Sequence, residues 1–486
     1  MNRFIAGLAL MAALIVPSNA SARLPFSSAP KPNAKQAKYL TFENEAGGLA
    51  CKPKGELEKL LKSYKCGLSL DKCDASADAI AGKLSPAMIE LFADLIEHDG
   101  KSFVNHCPGE ENFWELLGIY GLGYAQSKKH APAIAKLVAK NRLDDAGANV
   151  TEAAAFALWY MGDKSVAVPA LKGIVEHRGM WEKGARYKQP ALQALGRWGD
   201  KSGMDWCLKY LKEGKNGELR KTCVAYAGAV RDKRAVPSIL RDLDEYDEVG
   251  IRALGRIGDK SAVAPLEERM EKANMWGDTA VTLVALLNLG QKKYWDDFAL
   301  MLEGKRPLTA KEKERFAKDK EKAEAKSEKT RAKAIESYEK KLASRVDKYE
   351  EKVHHAALME AILLQGEPRR DALLEKAAAT KPTKKEWQGH VYANVALAQL
   401  GNKKASAQLA KLLGSSDEKQ REAVVSALGG SERAYLVWTN RGYGGVGDPA
   451  LVKALLDYRS NESKDTRRQN AIGAAATTRA FVSAKL

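Results

Sequence analysis

Apolar residues recur at helical spacing along most of the chain, in runs that close on a glycine. Ala194-Leu195-Gly196-Arg197-Trp198-Gly199-Asp200-Lys201-Ser202 returns as Ala253-Leu254-Gly255-Arg256-Ile257-Gly258-Asp259-Lys260-Ser261, and more loosely at 157–165. Weaker copies end at Gly123, Arg231, Gly290, Gly366, Gly401 and Gly429, with Arg231 in the place of the glycine. Outside a gap between Gly290 and Gly366, successive copies lie 27 to 39 residues apart. Each copy predicts a pair of helices. The first runs into the glycine, where a left-handed exit is cheap without a Cβ. Asp or Ser then caps the next helix. Pro169, Pro237 and Pro265 are expected in its first turn, where a missing N–H is tolerated. Second helices are expected at 169–175 and 236–243. One such hairpin cannot bury its stripe alone, so neighbours must stack.

This pattern resembles the HEAT-like repeats of the short, phycobilisome-lyase type. The residues that carry the likeness are 194–202 and 253–266, with weaker copies over roughly 111–300 and 353–485. The resemblance implies an all-α fold, an α-solenoid of stacked helical hairpins with a concave binding face. It implies little about activity. HEAT-type metal hydroxylases carry His-Glu dipeptides, and this chain has none. The expected array occupies 111–304 and 353–486.

Residues 305–352 interrupt it. Of these 48 positions 28 are charged, with a net charge of +6, and there is no glycine. Alternating signs with many Ala, Glu and Lys favour helix. A single helix over 309–352 would be ~65 Å long. An apolar stripe begins at Ile335 and continues through Tyr338, Leu342, Val346, Tyr349 and Val353. The expectation is a charged helical arm, either a solvated projection or a surface for homo-oligomer formation through 309–352.

The N-terminus reads as an address. Arg3 precedes an apolar run over 4–16 and an Ala20-Ser21-Ala22 cleavage site, so 1–22 has the form of a secretory signal peptide. That run is too short for a bilayer, which needs about 20 residues. A periplasmic or secreted location follows, with no transmembrane helix in the mature chain. Residues 23–38 hold three prolines and no acidic residue, and read as a tether. Residues 39–110 read as a helical cap carrying Cys51, Cys66, Cys73 and Cys107. Export permits disulfides, and spacing does not choose among the three possible pairings. Ser85-Pro86 offers the start of a helix there. Cys207 and Cys223 flank the turn signal Glu213-Gly214-Lys215-Asn216-Gly217, so a helix hairpin would bring them opposite each other. A disulfide, or two buried small side chains, is expected.

The net charge of +17 would suggest nucleic acid in a cytosolic protein; export makes a specific nucleic-acid partner a poor expectation. No metal site is implied: His98, His106 and Cys107 lack the spacing of structural zinc. No cofactor is implied either. Gly442-Tyr443-Gly444-Gly445-Val446-Gly447 matches a dinucleotide fingerprint formally, but only 39 residues follow it. Gly447-Asp448-Pro449 also fits a repeat turn. No catalytic set emerges. The row two positions before each motif glycine should point away from the core stripe. It places Tyr160, Arg197 and Arg256, with Arg252 one turn earlier, on a candidate binding face suited to carboxylate or phosphate. The function expected is a non-catalytic exported scaffold that binds a protein partner or an anionic cell-envelope polymer. The alternatives are a lyase-type enzyme or maturation factor, and a structural protein dimerising through the arm.

Overall fold

The computed structural model describes residues 38–45, 48–63, 74–96, 113–139, 145–177, 185–272, 276–305, 307–308, 310–346, 354, 357–358, 360–364, 368–379, 387–428 and 446–484. The expected signal peptide, nearly all of the tether, and Cys66, Cys73 and Cys107 lie outside these residues. The described chain is almost entirely α-helical and divides into two compact units, 1–174 and 175–486.

The first unit opens with a correction to the helical cap. Strands β1 (Leu40–Glu45) and β2 (Gly48–Pro53) form an antiparallel hairpin in which Phe42 stands opposite Cys51. Helices follow at α1 (Gly55–Ser63), α2 (Asp74–Ala81) and α3 (Pro86–Ile96). The last starts where Ser85-Pro86 predicts, with Ser85 Oγ accepting from the Met88 amide. Next come α4 (Phe113–Tyr124), α5 (Ala131–Ala139) and α6 (Asp145–Met161). Helix α4 packs between α3 and α6 through glycine. A Cβ on Gly118 would lie 2.6 Å from the Phe92 carbonyl oxygen, and one on Gly123 would lie 3.0 Å from the Ala157 Cβ. Gly123 is thus a packing position inside α4, and the left-handed exit is at Gln126 (φ 53°).

Helix α7 (Lys164–Glu176) runs into the second unit. Pro169 is its sixth residue, deeper than a first-turn position. There follow α8 (Ala185–Arg197), α9 (Met204–Glu213), α10 (Gly217–Val230), α11 (Val236–Arg241), α12 (Leu243–Tyr246), α13 (Glu248–Ile257), α14 (Val263–Lys272), α15 (Trp276–Asn288) and α16 (Trp295–Leu302). The motif positions Gly162, Gly199, Gly258, Gly290 and Gly401 all have φ between 67° and 90°, and Arg231 adopts the same region at 54°. After the turns, Asp200, Asp232 and Asp259 accept hydrogen bonds from the amides two residues on, at 2.9 to 3.0 Å.

These helices approach one another closely at glycine, to side chains at Gly196 and to backbone at Gly228 and Gly255. Gly196 of α8 meets Ala229 and Tyr226 of α10; Gly228 of α10 meets Ala253 of α13; Gly255 of α13 meets Ala285 of α15. A Cβ on Gly255 would lie 2.7 Å from the Ala285 Cα. Each of these glycines sits three before a motif position, so the close approach repeats with the sequence. Turns are tied to the next helix as well. Tyr226 donates to the Asp200 carbonyl at 2.5 Å and accepts from the Gly203 amide at 3.1 Å. Cys207 of α9 and Cys223 of α10 form a buried disulfide across the expected turn, with Cα atoms 5.3 Å apart.

The charged insertion folds back on itself. Instead of one long helix it forms α17 (Ala310–Glu324) and α18 (Glu328–Val346), joined at 325–327. Arg345 pairs with Glu312 near the base, at 2.6 Å, and Phe316 meets Tyr338 with ring centroids 6.2 Å apart. Lys313 pairs with Asp297 of α16. The chain ends in α19 (Pro368–Ala379), α20 (Trp387–Gln399), α21 (Lys403–Leu413), α22 (Glu418–Ala427), α23 (Pro449–Asn461) and α24 (Asp465–Ala484); α19 packs on α20 and α20 on α21, while α23 packs on α21 and α24, and α22 packs on α20, α21 and α24. Asp448 caps α23 through the Ala450 amide at 2.9 Å, as a repeat turn requires. The glycines at 442–445 lie outside the described residues.

Gly255→Ala isolates the close approach. In an exposed helix the change would stabilise by about 0.5–1 kcal/mol. Here the added methyl forces two backbones apart, and overpacking costs about 1–3 kcal/mol. A lower urea midpoint is expected for Gly255→Ala, with a smaller change for Gly173→Ala in α7, where a Cβ meets nothing within 4 Å.

Candidate functional site

Two of the four residues proposed for the binding face are in the core. Tyr160 is 3% exposed. Its ring lies 4.4 Å from Phe156, 5.1 Å from Trp159 and 5.7 Å from Tyr124, centroid to centroid. The reason is that α6 is buried all round from Ala153 to Met161. The row two before the glycine is therefore no solvent row in that helix.

Arg252 is 7% exposed, and its guanidinium meets two carboxylates. Nε and Nη2 donate to Glu360 Oε1 at 2.8 and 2.6 Å, and Nη2 donates to Glu248 Oε2 at 2.7 Å. Glu360 is 2% exposed and comes from the chain returning after the charged hairpin. Asn288 of α15, also in the proposed row, donates to the Leu363 carbonyl at 3.3 Å. Ala357, Leu358, Ala361 and Leu364 are buried alongside. The chain thus covers part of its own expected face. A buried ion pair gains little net stability because desolvation offsets attraction, but a half-removed pair leaves an uncompensated charge.

Arg256 is different. It lies one turn beyond Arg252, in the last turn of α13, and is half-buried. It makes no ion pair or hydrogen bond among the described residues. Burial, and then the Arg231 charge, hold its pKa below the ordinary arginine value. The two cations meet because α10 and α13 run in the same direction. Gly228 touches Ala253, and three residues further on in each helix come Arg231 and Arg256. Arg231 occupies the left-handed end of α10 and is exposed. Two other crowded arginines of this unit meet carboxylates, whereas buried Arg459 has its pKa held below the ordinary arginine value by burial and then the Arg468 charge. Arg220 meets Asp242 and Glu245, and Arg269 meets Asp244 and Asp247. The carbonyls ending α13 offer partial negative charge, worth a few tenths to about 1 kcal/mol to a nearby cation. Arg197 is half-buried in the equivalent last turn of α8.

One charged residue of the core was not anticipated. Lys188 is fully buried in α8. Its Nζ donates to the Val175 and His177 carbonyls at 2.6 and 3.0 Å and lies 4.6 Å from the Trp206 ring centroid. It therefore ties the end of α7 to α8 and α9. The signal was present in the sequence, since Lys188 stands in register with the stripe residues Ala191, Leu192 and Leu195. Burial pulls its pKa down to about 8.

Among the described residues no group of three or more His, Cys, Asp or Glu side chains is placed to hold a metal ion. No described helix is long and apolar enough to cross a membrane. The disulfide is compatible with an extracellular location. No family model matches the chain, and no curated protein matches it.

Two measurements test these assignments. Arg252→Met is expected to destabilise by about 3–5 kcal/mol, because it takes the guanidinium away from the buried Glu360 carboxylate. Glu360→Gln should cost less, because Arg252 keeps Glu248; equal losses in urea unfolding would contradict the assignment. For Lys188 the unfolded chain binds more protons than the native one between pH ~8 and the ~10.4 of a free lysine. Stability from this site therefore rises as pH climbs through that window and is lost as pH falls through about 8. Lys188→Met should remove that slope, read as the difference between the two proteins' urea midpoints from pH 8 to 10.

Proposed function

We propose that the chain is a non-catalytic scaffold of HEAT-like repeats whose helix pairs stack as an α-solenoid. It acts after export and binds an acidic protein or an anionic envelope polymer at the corner formed by Arg231 and Arg256. One observation carries this reading: Arg256 is desolvated, faces a second cation and meets no carboxylate, while Arg252 one turn away meets two. A partner carboxylate or phosphate would relieve that repulsion, and arginine suits both groups geometrically. The repeated glycine–alanine contacts support the stacking, because they bring successive helix ends close enough for one ligand to span them. The disulfide supports an oxidising compartment. Of the face first expected, Arg256 remains its centre, with Arg197 on a neighbouring helix of the same ladder. Dimerisation through 309–352 is less favoured, because Phe316 and Tyr338 meet each other within one chain.

The test uses the full chain and polyglutamate as the probe. Wild-type binding should weaken steeply as salt rises. Arg256→Gln should weaken binding at least about fivefold, one lost charge-assisted contact being worth roughly 1.5–3 kcal/mol before screening. The same variant should melt no lower than the wild type, since an unpaired desolvated charge has gone. Unchanged polyglutamate affinity would overturn the proposal. A drop of several degrees in melting temperature with unchanged affinity would make Arg256 a structural residue.

A further inference from the structure

The charged hairpin pairs five of its cations along its length, leaves Lys311, Arg315, Lys322 and Lys341 without a carboxylate among the described residues, and brings three further lysines together at its end. Lys318 meets Glu314, Lys320 meets Glu324 and Lys340 meets Glu336, each four residues apart on one helix. Lys313 and Arg345 are paired near the base. Lys326, Lys329 and Lys333, with Thr330 and Ala334, line a shallow depression of about 360 Å³, and none of the three lysines meets a carboxylate among the described residues. All three lysines are exposed.

This arrangement is unfavourable for the hairpin itself. Lys329 and Lys333 stand four apart on α18, so like charges share one face, and Lys326 of the joint lines the same depression. Lys329 stands in the first turn of α18, where the helix dipole disfavours a cation. The tip also stands clear of the apolar contacts. Phe316 and Ala323 are the buried residues of α17, and every residue from 324 to 333 is exposed.

We propose that this tip docks on an anionic phospholipid surface. Three features select that occupant. The depression at the end of the hairpin is shallow and open, so it does not enclose a small anion, whereas a plane of phosphates can meet all three ammonium groups at once. The cations are lysines, strongly hydrated point charges that suit a mobile layer of headgroups better than a fixed bidentate partner. Around them stand Ser327, Thr330 and Ala334, with no large apolar side chain to insert, so the contact stays at headgroup depth. Helices of 15 and 19 residues make a spacer of roughly 22–28 Å. This inference is independent of the Arg231–Arg256 corner, which lies on other helices.

The experiment compares three full-length proteins: wild type, Lys326→Gln/Lys329→Gln/Lys333→Gln, and Lys318→Gln/Lys320→Gln/Lys340→Gln. All keep the apolar stretch at 4–16, so its contribution cancels. Sedimentation with phosphatidylglycerol–phosphatidylcholine vesicles at low salt is the readout, with phosphatidylcholine vesicles as the neutral reference. Each basic residue at a charged surface changes partitioning about fivefold, so the tip variant should lose about 100-fold on anionic vesicles. The control removes the same charge from paired positions and should lose less than about tenfold. The proposal is overturned if wild type shows no preference for anionic vesicles, or if the two triple variants lose equally. It is also overturned if the tip variant loses binding to polyglutamate while keeping its binding to vesicles. The substituted tip residues are exposed, so all three proteins should melt alike.

Discussion

The second unit depends on how closely its repeated helices approach. At Gly196, Gly228 and Gly255 one helix presents no side chain, and the next presents alanine or the edge of Tyr226. Two backbones then pack where a larger residue would hold them apart. Dispersion gains from such contacts are small per atom and large in sum. The geometry also has an electrostatic consequence. Residues flanking the glycine row are carried toward each other with the backbones. That is why Arg231 and Arg256, on separate helices, share one neighbourhood, and why water is too scarce at Arg256 to screen the pair.

A second constraint comes from the insertion. The segment returning after the hairpin meets the helices it left through a buried ion pair, Arg252 with Glu360, between residues 108 positions apart. The apolar residues beside it, Ala357, Leu358, Ala361 and Leu364, supply most of the favourable burial. The ion pair adds direction. Only one placement of the returning segment puts Glu360 opposite Arg252 and the Leu363 carbonyl opposite Asn288. Any other placement would bury one charge alone, at a cost of several kcal/mol. Part of the face expected to receive a partner is occupied for this reason.

Local rules were readable in the sequence, and tertiary ones were not. The left-handed helix ends at Gly162, Gly199, Gly258, Gly290 and Gly401 follow from backbone sterics that each glycine decides by itself. The asparate caps and the Cys207–Cys223 pairing likewise follow from residues close in the chain. The solvent exposure of a row is another matter. Tyr160 and Arg256 occupy the same motif position, yet one is sealed in an aromatic cluster and the other is half-buried. What differs is the helix packed beside each. The strands at 40–53 have six residues each, too few for periodicity to mark them. Their signal, a Gly47-Gly48 turn dipeptide between two short runs, is of the hairpin kind. The break of the arm at 325–327 has no glycine or proline to mark it, only Ser327 ahead of a new helix.

Net charge is a weak guide to where this protein interacts, and pairing is a better one. An excess of +17 is spread over a surface on which many cations are cancelled locally. Arg220, Arg234, Arg252, Arg269 and Arg345 each have at least one carboxylate partner. A paired cation contributes little field beyond its own neighbourhood, because the two fields cancel within a few ångströms and salt removes most of the remainder. The field available to a partner comes from positions where the local pairing fails. Arg256 and the three tip lysines are such positions, and they fail in opposite ways. At Arg256 protein has displaced water from a charge and supplied no counter-charge, so a ligand there would be held by direct contact. At the tip the lysines remain hydrated and mobile, so attraction there acts at longer range and yields sooner to salt. The salt dependence of the two contacts therefore separates them without any knowledge of the partner.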